Sequence, residues 1–324
     1  MNGKPLIDLF VRHGFLVVFV GSFVFFSTMT EYFLQLGNIL NILHTMAPLA
    51  LAASGMALVV ISGRIDISVG SVAFLSCAIG SLLMKNSGLD PILAALLVLL
   101  IGAGLGAVNG FIVTVLGVNA LIATLGTMIA FRGIALALTD ALLVQLPEEI
   151  RVLGNADIGP VPTDIFVMVI ILTLVHVLHA RTPFGRQLVA MGNDLNIARK
   201  VGLPVDRTGF LSFVLAGMLA SAGGIMTTVQ NGAVSPFLGA GLEFTALAVV
   251  VVGGISLLGG RGHILFAIIP GAFIFEMIRN GLTNLGADPY SYRLVGGAVI
   301  FAAMYADALK SGRLTVRRRT STDG

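Results

Sequence analysis

Tryptophan is absent, and the chain has one cysteine and only four tyrosines. A lone cysteine, Cys77, closes no internal disulfide and has no second thiol at redox or metal-ligand spacing. Set in an apolar segment, it reads as a small packing residue. Lysine is equally scarce: Lys4, Lys85, Lys200 and Lys310 are the full set, and none completes the G-x-x-x-x-G-K-[ST] loop that cradles nucleotide phosphates. Charged residues are 11% of the 324, against about 25% in soluble domains. The net charge of +3 gives no ground for a nucleic-acid partner.

What is abundant is apolar. Hydrophobic residues make up 56% of the chain and the mean hydropathy is +0.99. One soluble core cannot hide that much apolar surface, because a sphere of this size needs more polar cover. Lipid is therefore the solvent for much of the molecule. A bilayer core of about 30 Å takes about 20 apolar residues per helix. Ten stretches qualify, near 14–34, 39–61, 67–85, 91–116, 119–139, 163–180, 208–229, 243–258, 264–282 and 292–309. The segments at 67–85 and 243–258 are the shortest and contain glycines, so breaks are expected there. The first stretch follows Lys4 and Arg12 but no small-x-small cleavage site ends it, so it reads as a retained helix.

Basic residues set the orientation. With the N-terminus in the cytoplasm and alternating spans, 14 of the 19 lysines and arginines fall on the inner side, including Arg64, Arg181, Arg186, Arg199, Arg207, Arg261 and the tail Arg317, Arg318 and Arg319. The acids Glu148, Glu149, Asp157 and Asp164 fall outside. Tyr32, Tyr290, Tyr292 and Tyr305 lie near expected helix ends, as interfacial rings do. Two loops are long: an outer one at 140–162 and an inner one at 181–207. Ten spans split evenly would place the second half upside down relative to the first, an inverted repeat, with Asn109-Gly110 and Asn280-Gly281 ending comparable helices.

Small residues are patterned. Gly102, Gly106 and Gly110 share one helix face, as do Ala216, Ala220 and Gly224, which lets backbones approach closely in lipid. Polar groups inside spans are few: His44, Asn109, Arg132, Glu276, Arg279 and Asn280. Glu276 and Arg279 are three apart on one helix and can pair, and Arg132 lies at a depth where it could share the carboxylate. They read either as structural pairs or as the wall of a hydrated path. The segment SGRIDISVGS, Ser62 to Ser71, sets Arg64 and Asp66 at a membrane boundary. Asp66 can cap the next helix, or the turn with Ser62 and Ser68 can form a gate. A second glycine-rich turn, GGISLLGGRGH from Gly253 to His263, reads as a tight inner connection. His176 and His179 have no third ligand nearby in sequence, so no metal site is expected. No catalytic triad, paired-carboxylate or cofactor motif is present, which disfavours an enzyme.

Four separated segments, SGRIDISVGS, VNALIATLGTMIAFRG, GRQLVAMGNDLNIARKVGL and LEFTALAVVVVGGISLLGGRG, resemble in order and spacing the permease subunits of ribose-, xylose- and arabinose-type ABC importers, a group that also includes autoinducer-2 permeases. The resemblance covers residues 38–310. Arg64 departs from the family's usual GGIDLSVG. The resemblance implies a dimer of permeases, identical or paralogous, around one pathway. It also implies two ABC ATP-binding subunits on the cytoplasmic face, a periplasmic solute-binding protein, and no cofactor. In such importers a short coupling helix docks on the ATPase; the matching stretch holds Gly185, Gly192, Asn193, Ala198 and Gly202. The residues themselves support that placement, because Asn193 or Asp194 can cap a short helix and Gly202-Leu203-Pro204 can stop it.

The expected protein is thus an all-α polytopic membrane permease of about ten helices in the bacterial inner membrane. It would form one domain over 1–324, with a coupling loop at 181–207, a basic cytoplasmic tail at 310–324 and both termini inside. It would import a monosaccharide or similar small polar solute past Ser62, Asp66, Ser68, Asn109, Glu276 and Asn280. The alternative is an ion-coupled secondary transporter with Glu276 as its coupling group.

Overall fold

The computed structural model describes residues 19–154, 156–288, 291, 292, 294–298, 301 and 305. Helices α1 (Phe19–Met29), α2 (Leu36–Ile61), α3 (Val69–Ser87), α4 (Pro91–Thr114) and α5 (Ala120–Leu138) come first. The loop after α5 holds β1 (Val144–Gln145), α6 (Glu148–Leu153), β2 (Asp157–Ile158) and β3 (Val161–Pro162). Then follow α7 (Thr163–Arg181), α8 (Pro183–Asn193), α9 (Leu195–Lys200), α10 (Val205–Asn231), β4 (Ala233–Val234), α11 (Leu242–Val252) and α12 (Ile264–Asn284).

Seven of these helices, α2, α3, α4, α5, α7, α10 and α12, are long and apolar enough to cross a bilayer. The α1 and α11 helices are apolar but shorter. The count of about ten is met only to this extent, and most of the stretch at 292–309, the basic tail, Lys4 and Arg12 lie outside the described residues. Of the two breaks expected at glycines, one is absent and one is present. The segment at 67–85 is unbroken, because α3 runs 19 residues to an αL cap at Gly88. The segment at 243–258 does break: α11 ends at Val252, where Gly254, Gly259, Gly260 and Gly262 take positive φ that a helix cannot contain. The all-α expectation also misses four two-residue strands. Of these, β1 pairs antiparallel with β4 (Val144 with Val234) and β2 with β3.

Burial separates the helices into a centre and a rim. The apolar window of α2 is 89% buried and that of α10 is 61%, whereas those of α4, α5 and α7 are 22% buried. The last three therefore present most of their surface to lipid. The α10 helix is the axle, touched by α4, α2 and α3. It can be, because glycine or alanine stands at each crossing. A Cβ on Gly217 would strike the Gly102 carbonyl and the Gly106 backbone, and one on Gly106 would strike the Phe213 carbonyl. On another side Gly55 of α2 lies against Ala216, and Gly224 lies against Ala73 and Cys77 of α3. The two small-residue faces read from the sequence are thus helix contacts. A buried hydrogen bond, Ser76 Oγ to Ser221 Oγ at 2.8 Å, joins α3 to α10 at the same level. In lipid, where apolar side chains gain nothing by leaving the solvent, such close approach and such bonds hold helices together.

Gly104 shares α4 with Gly102 but has open space beside it. Replacing Gly217 with leucine should therefore force α4 from α10 and lower stability by about 1–3 kcal/mol or more, whereas Gly104→Leu should be close to neutral. Thermal unfolding of the two purified variants in detergent distinguishes them; equal midpoints would contradict this packing.

Candidate transport pathway and loop junction

The α2 helix ends at Ile61, and Ser62 completes it, donating Oγ to the Val59 carbonyl at 2.7 Å. Gly63 then turns the chain with φ +81. The left-handed position falls on that glycine and not on Arg64, so the family departure at Arg64 leaves the turn geometry intact. Asp66 Oδ1 accepts from the Ser68 amide at 2.8 Å and from Ser68 Oγ at 2.7 Å. Asp66 thereby fixes Ser68 as the residue that starts α3, which is an Asx turn and not the direct cap of the first-turn amides expected from sequence. Asn109 of α4 donates Nδ2 to Ser68 Oγ at 2.7 Å and accepts from Thr127 of α5 at 2.6 Å. Thr124 accepts from the Ile67 amide at 3.2 Å. Asp66, Ser68, Asn109 and Thr124 are all at most 1% exposed. This polar knot ties α3, α4 and α5 at one end of the bundle. Thr124 and Thr127 were not picked out from the sequence; hydroxyls three apart on an otherwise apolar helix were the available signal.

Glu276 and Asn280 lie elsewhere. A cavity of about 570 Å³ is lined by Thr45 of α2, Thr227 and Gln230 of α10, the segment 237–242, and Glu276 and Arg279 of α12. A second, of about 560 Å³, shares Ala240, Gly241, Thr245, Glu276 and Arg279 with it. The expected local pair exists: Arg279 Nη2 lies 2.6 Å from Glu276 Oε2, with the arginine side chain half exposed and the carboxylate buried. Asn280 bonds Asn38 of α2 at 2.9 Å. Arg132 does not share the carboxylate, contrary to expectation. Its Nη2 donates to the Leu238 carbonyl at 3.2 Å and its guanidinium lies 5.5 Å above the Phe74 ring. It is thus spent on the non-helical segment before α11. A further polar set closes one rim: Gln230 donates to Asp164 at 2.6 Å and to the His44 carbonyl at 3.0 Å, while His44 Nδ1 lies 3.0 Å from Asp164. None of the residues of the Asp66 knot borders either cavity.

The loop at 181–207 folds into two helices where one was expected. Asp194, not Asn193, caps α9, accepting from the Asn196 and Ile197 amides at 2.8 and 2.9 Å. Gly202 ends it with φ +80. Gly185 is pressed on the His179 backbone, so α8 folds back directly against the end of α7. Ala198 is buried with Met191 and Val205. Gly192 sits at a three-way backbone contact: a Cβ there would strike the Ile61 carbonyl and the Gly260 amide, which are themselves hydrogen bonded at 2.9 Å. Asn193 Nδ2 reaches the Gly260 carbonyl at 3.4 Å. The two glycine-rich turns and the loop at 181–207, far apart in sequence, are therefore one junction.

A bundle of spanning helices with a cavity holding a charge-compensated Glu276–Arg279 pair, and a helical loop locked to two interhelical turns, defines a polytopic transport protein of the membrane. The model of the "Branched-chain amino acid transport system / permease component" family matches residues 38–304, and the chain belongs to that family. It is therefore a transport permease component and not an enzyme. It is 37% identical over 94% of its length to the probable ABC transporter permease protein YphD of Escherichia coli, covering 92% of that protein. It is 35% identical to the autoinducer 2 import system permease protein LsrC of Photorhabdus laumondii over 90% of this chain and 87% of that one. The ribose import permease protein RbsC of Bacillus subtilis is 36% identical over 95% of this chain and 92% of its own.

Asn109→Leu removes a donor and an acceptor together, leaving Ser68 Oγ with Asp66 alone and the Thr127 hydroxyl with only the Thr124 carbonyl at 3.3 Å. Each buried polar group left unpaired costs about 1–3 kcal/mol. The unfolding midpoint should fall accordingly, with loss of the α3–α4–α5 contacts by cross-linking; an unchanged midpoint would show that the knot bears no load.

Proposed function

We propose that this chain is the membrane-spanning subunit of an ATP-driven importer of a monosaccharide or similar small polar solute in the bacterial inner membrane. It works with ABC ATP-binding subunits, a periplasmic solute-binding protein and a second permease. The observation that carries the reading is the junction at Gly192. A partner that pushes on α8 and α9 there pushes at once on the end of α2, the start of α3 and the turn between α11 and α12. Such a link turns work done by another polypeptide into a change of packing in the bundle, which is what alternating access requires. The loop at 181–207, with Gly185, Gly192, Asn193, Ala198 and Gly202, is accordingly the coupling element. Exposed Ile197 and Val201 on and beside α9 offer apolar contact to a partner.

The solute class rests on the names of relatives, which include ribose, D-allose and autoinducer 2 permeases, and on the cavity's chemistry. Glu276 and Arg279 cancel each other's charge, leaving acceptors and donors suited to hydroxyl groups. Glu276 stands on the pathway in this reading and Asn280 supports it from behind. Ser62, Asp66, Ser68 and Asn109 frame its opposite end. The whole chain is one permease domain of ten spans, arranged as a five-plus-five inverted repeat, with both termini and the tail at 310–324 in the cytoplasm. Nine of the ten apolar stretches coincide with helices α1–α5, α7 and α10–α12, which supports that count.

In cells carrying the full transporter, uptake should survive collapse of the proton gradient while ATP is maintained, and should stop when ATP alone is depleted. The reverse pattern would establish the ion-coupled reading. Gly192→Leu should abolish uptake while ATP hydrolysis by the complex continues and the permease still inserts; wild-type uptake by that variant would remove the junction from the mechanism.

A further inference from the structure

A third cavity, of about 400 Å³, opens at the knot's end of the bundle. Its walls come from three turns: Gly63 and Arg64 between α2 and α3, Thr114 and Gly117 to Leu121 between α4 and α5, and Arg199 with Asp206 at α9 and α10. The charges do not cancel. Arg199 Nη2 donates to Asp206 Oδ1 at 2.9 Å, so that carboxylate is taken. Arg64 has no ion-pair partner among the described residues. One cavity thus holds two arginines and one acid, a net charge of +1.

Arg64 is also held in place. A Cβ on Gly209 of α10 would strike the Arg64 guanidinium, so the absence of a side chain at 209 makes the slot in which it lies. Its Nη1 is sealed there without an acceptor. The remainder of the guanidinium faces the cavity, where Asn119 caps the first turn of α5. Burial lowers its pKa from the ordinary arginine value. An anion in the cavity would relieve that desolvation, since a guanidinium takes phosphate oxygens in a matched fork.

The surroundings choose the kind of anion. Val115 and Leu116 follow α4, Leu121 and Ile122 lie in the first turn of α5, and all four are between 50% and 68% exposed. They lie at the ends of α4 and α5, two of the three long helices whose apolar windows are only 22% buried. The cavity therefore combines a basic pocket at the membrane boundary with an apolar lip on its bilayer side. That is the chemistry of a phospholipid, with its phosphate inside and its acyl chains along the lip. A free phosphate would use the first part and leave the second unexplained.

We propose that the cavity bounded by Arg64, Asn119 and Arg199 binds the headgroup of an anionic phospholipid, with the acyl chains lying against Leu116 and Leu121. The site rests on the helices spanning a bilayer and not on the solute or the source of power. Because Arg199 lies on α9, the lipid touches the loop that locks onto the α2–α3 and α11–α12 turns.

The test is lipid retention by the purified full-length chain in detergent, read by native mass spectrometry with dioleoyl-phosphatidylglycerol and dioleoyl-phosphatidylcholine as probes. Wild type should hold the anionic lipid about fivefold more strongly, the weight of one basic side chain beside an anionic headgroup. R64G should reduce that preference to near unity, R64K should keep most of it, and K85Q, on an exposed lysine outside the cavity, should leave it unchanged. Should R64G fail to run as a single species on gel filtration, R199Q provides the same readout. A preference that survives both R64G and R199Q overturns the proposal. So does inorganic phosphate that binds the wild type in an Arg64-dependent way and displaces the lipid, since the site would then take a free anion.

Discussion

The rest of the structure depends on backbone touching backbone along α10. Between helices in lipid there is no hydrophobic gain from contact, because the surrounding tails are as apolar as leucine. What remains is dispersion, which falls off steeply with distance, and hydrogen bonds between groups that have no water to fall back on. Both reward helices that come very close. Gly102, Gly106 and Gly217 permit that on one side of the axle, Gly55 with Ala216 on a second, and Gly224 with Ala73 on a third. Once α10 is gripped by α4, α2 and α3, the positions of the knot, the cavity and the junction are largely determined.

Polar groups then have to be accounted for one by one. Asp66, Asn109, Arg132 and Glu276 are each engaged in a way that matches their place, whereas Glu243 Oε2 and both ring nitrogens of His179 are buried without a hydrogen-bond partner among the described residues. Where three helices converge, Asp66, Ser68, Asn109 and Thr127 form a continuous relay of donors and acceptors. Where the cavity is wet enough for a half-exposed guanidinium, Glu276 and Arg279 form an ion pair. Where the chain abandons helical geometry ahead of α11, Arg132 supplies a donor to a carbonyl that the helix no longer satisfies. Asp66, Arg132 and Glu276 are thus each set against a group that would otherwise be orphaned.

Much of this was legible before any coordinates. Apolar runs of about 20 residues placed α2–α5, α7, α10 and α12 to within a few residues, because in lipid a helix must satisfy its own backbone and length alone is decisive. The pairing of Glu276 with Arg279 followed from helical spacing, and the faces of Gly102 and Ala216 from the same period. What stayed hidden was long range. Nothing local in Gly192 announces that it rests against Ile61 and Gly260. Nothing in Arg132 says that it prefers the Leu238 carbonyl to Glu276 on another helix. The end of α11, by contrast, was legible, because Val249 to Val252 run into Gly253 and Gly254, and positive φ at Gly254 marks the stop.

The shortness of α11 has a wider effect. At about 1.5 Å per residue, its 11 residues cover about half of a 30 Å hydrocarbon layer. The other half of that crossing is made by chain with no internal ladder, which borrows its order from neighbours: two residues of β1, one arginine and the backbone of Gly70. Stability in the middle of the bundle is therefore leased from its edge. Sequence drift in the surface loop around Val144 and Gln145 would be felt deep inside, far from where it occurred.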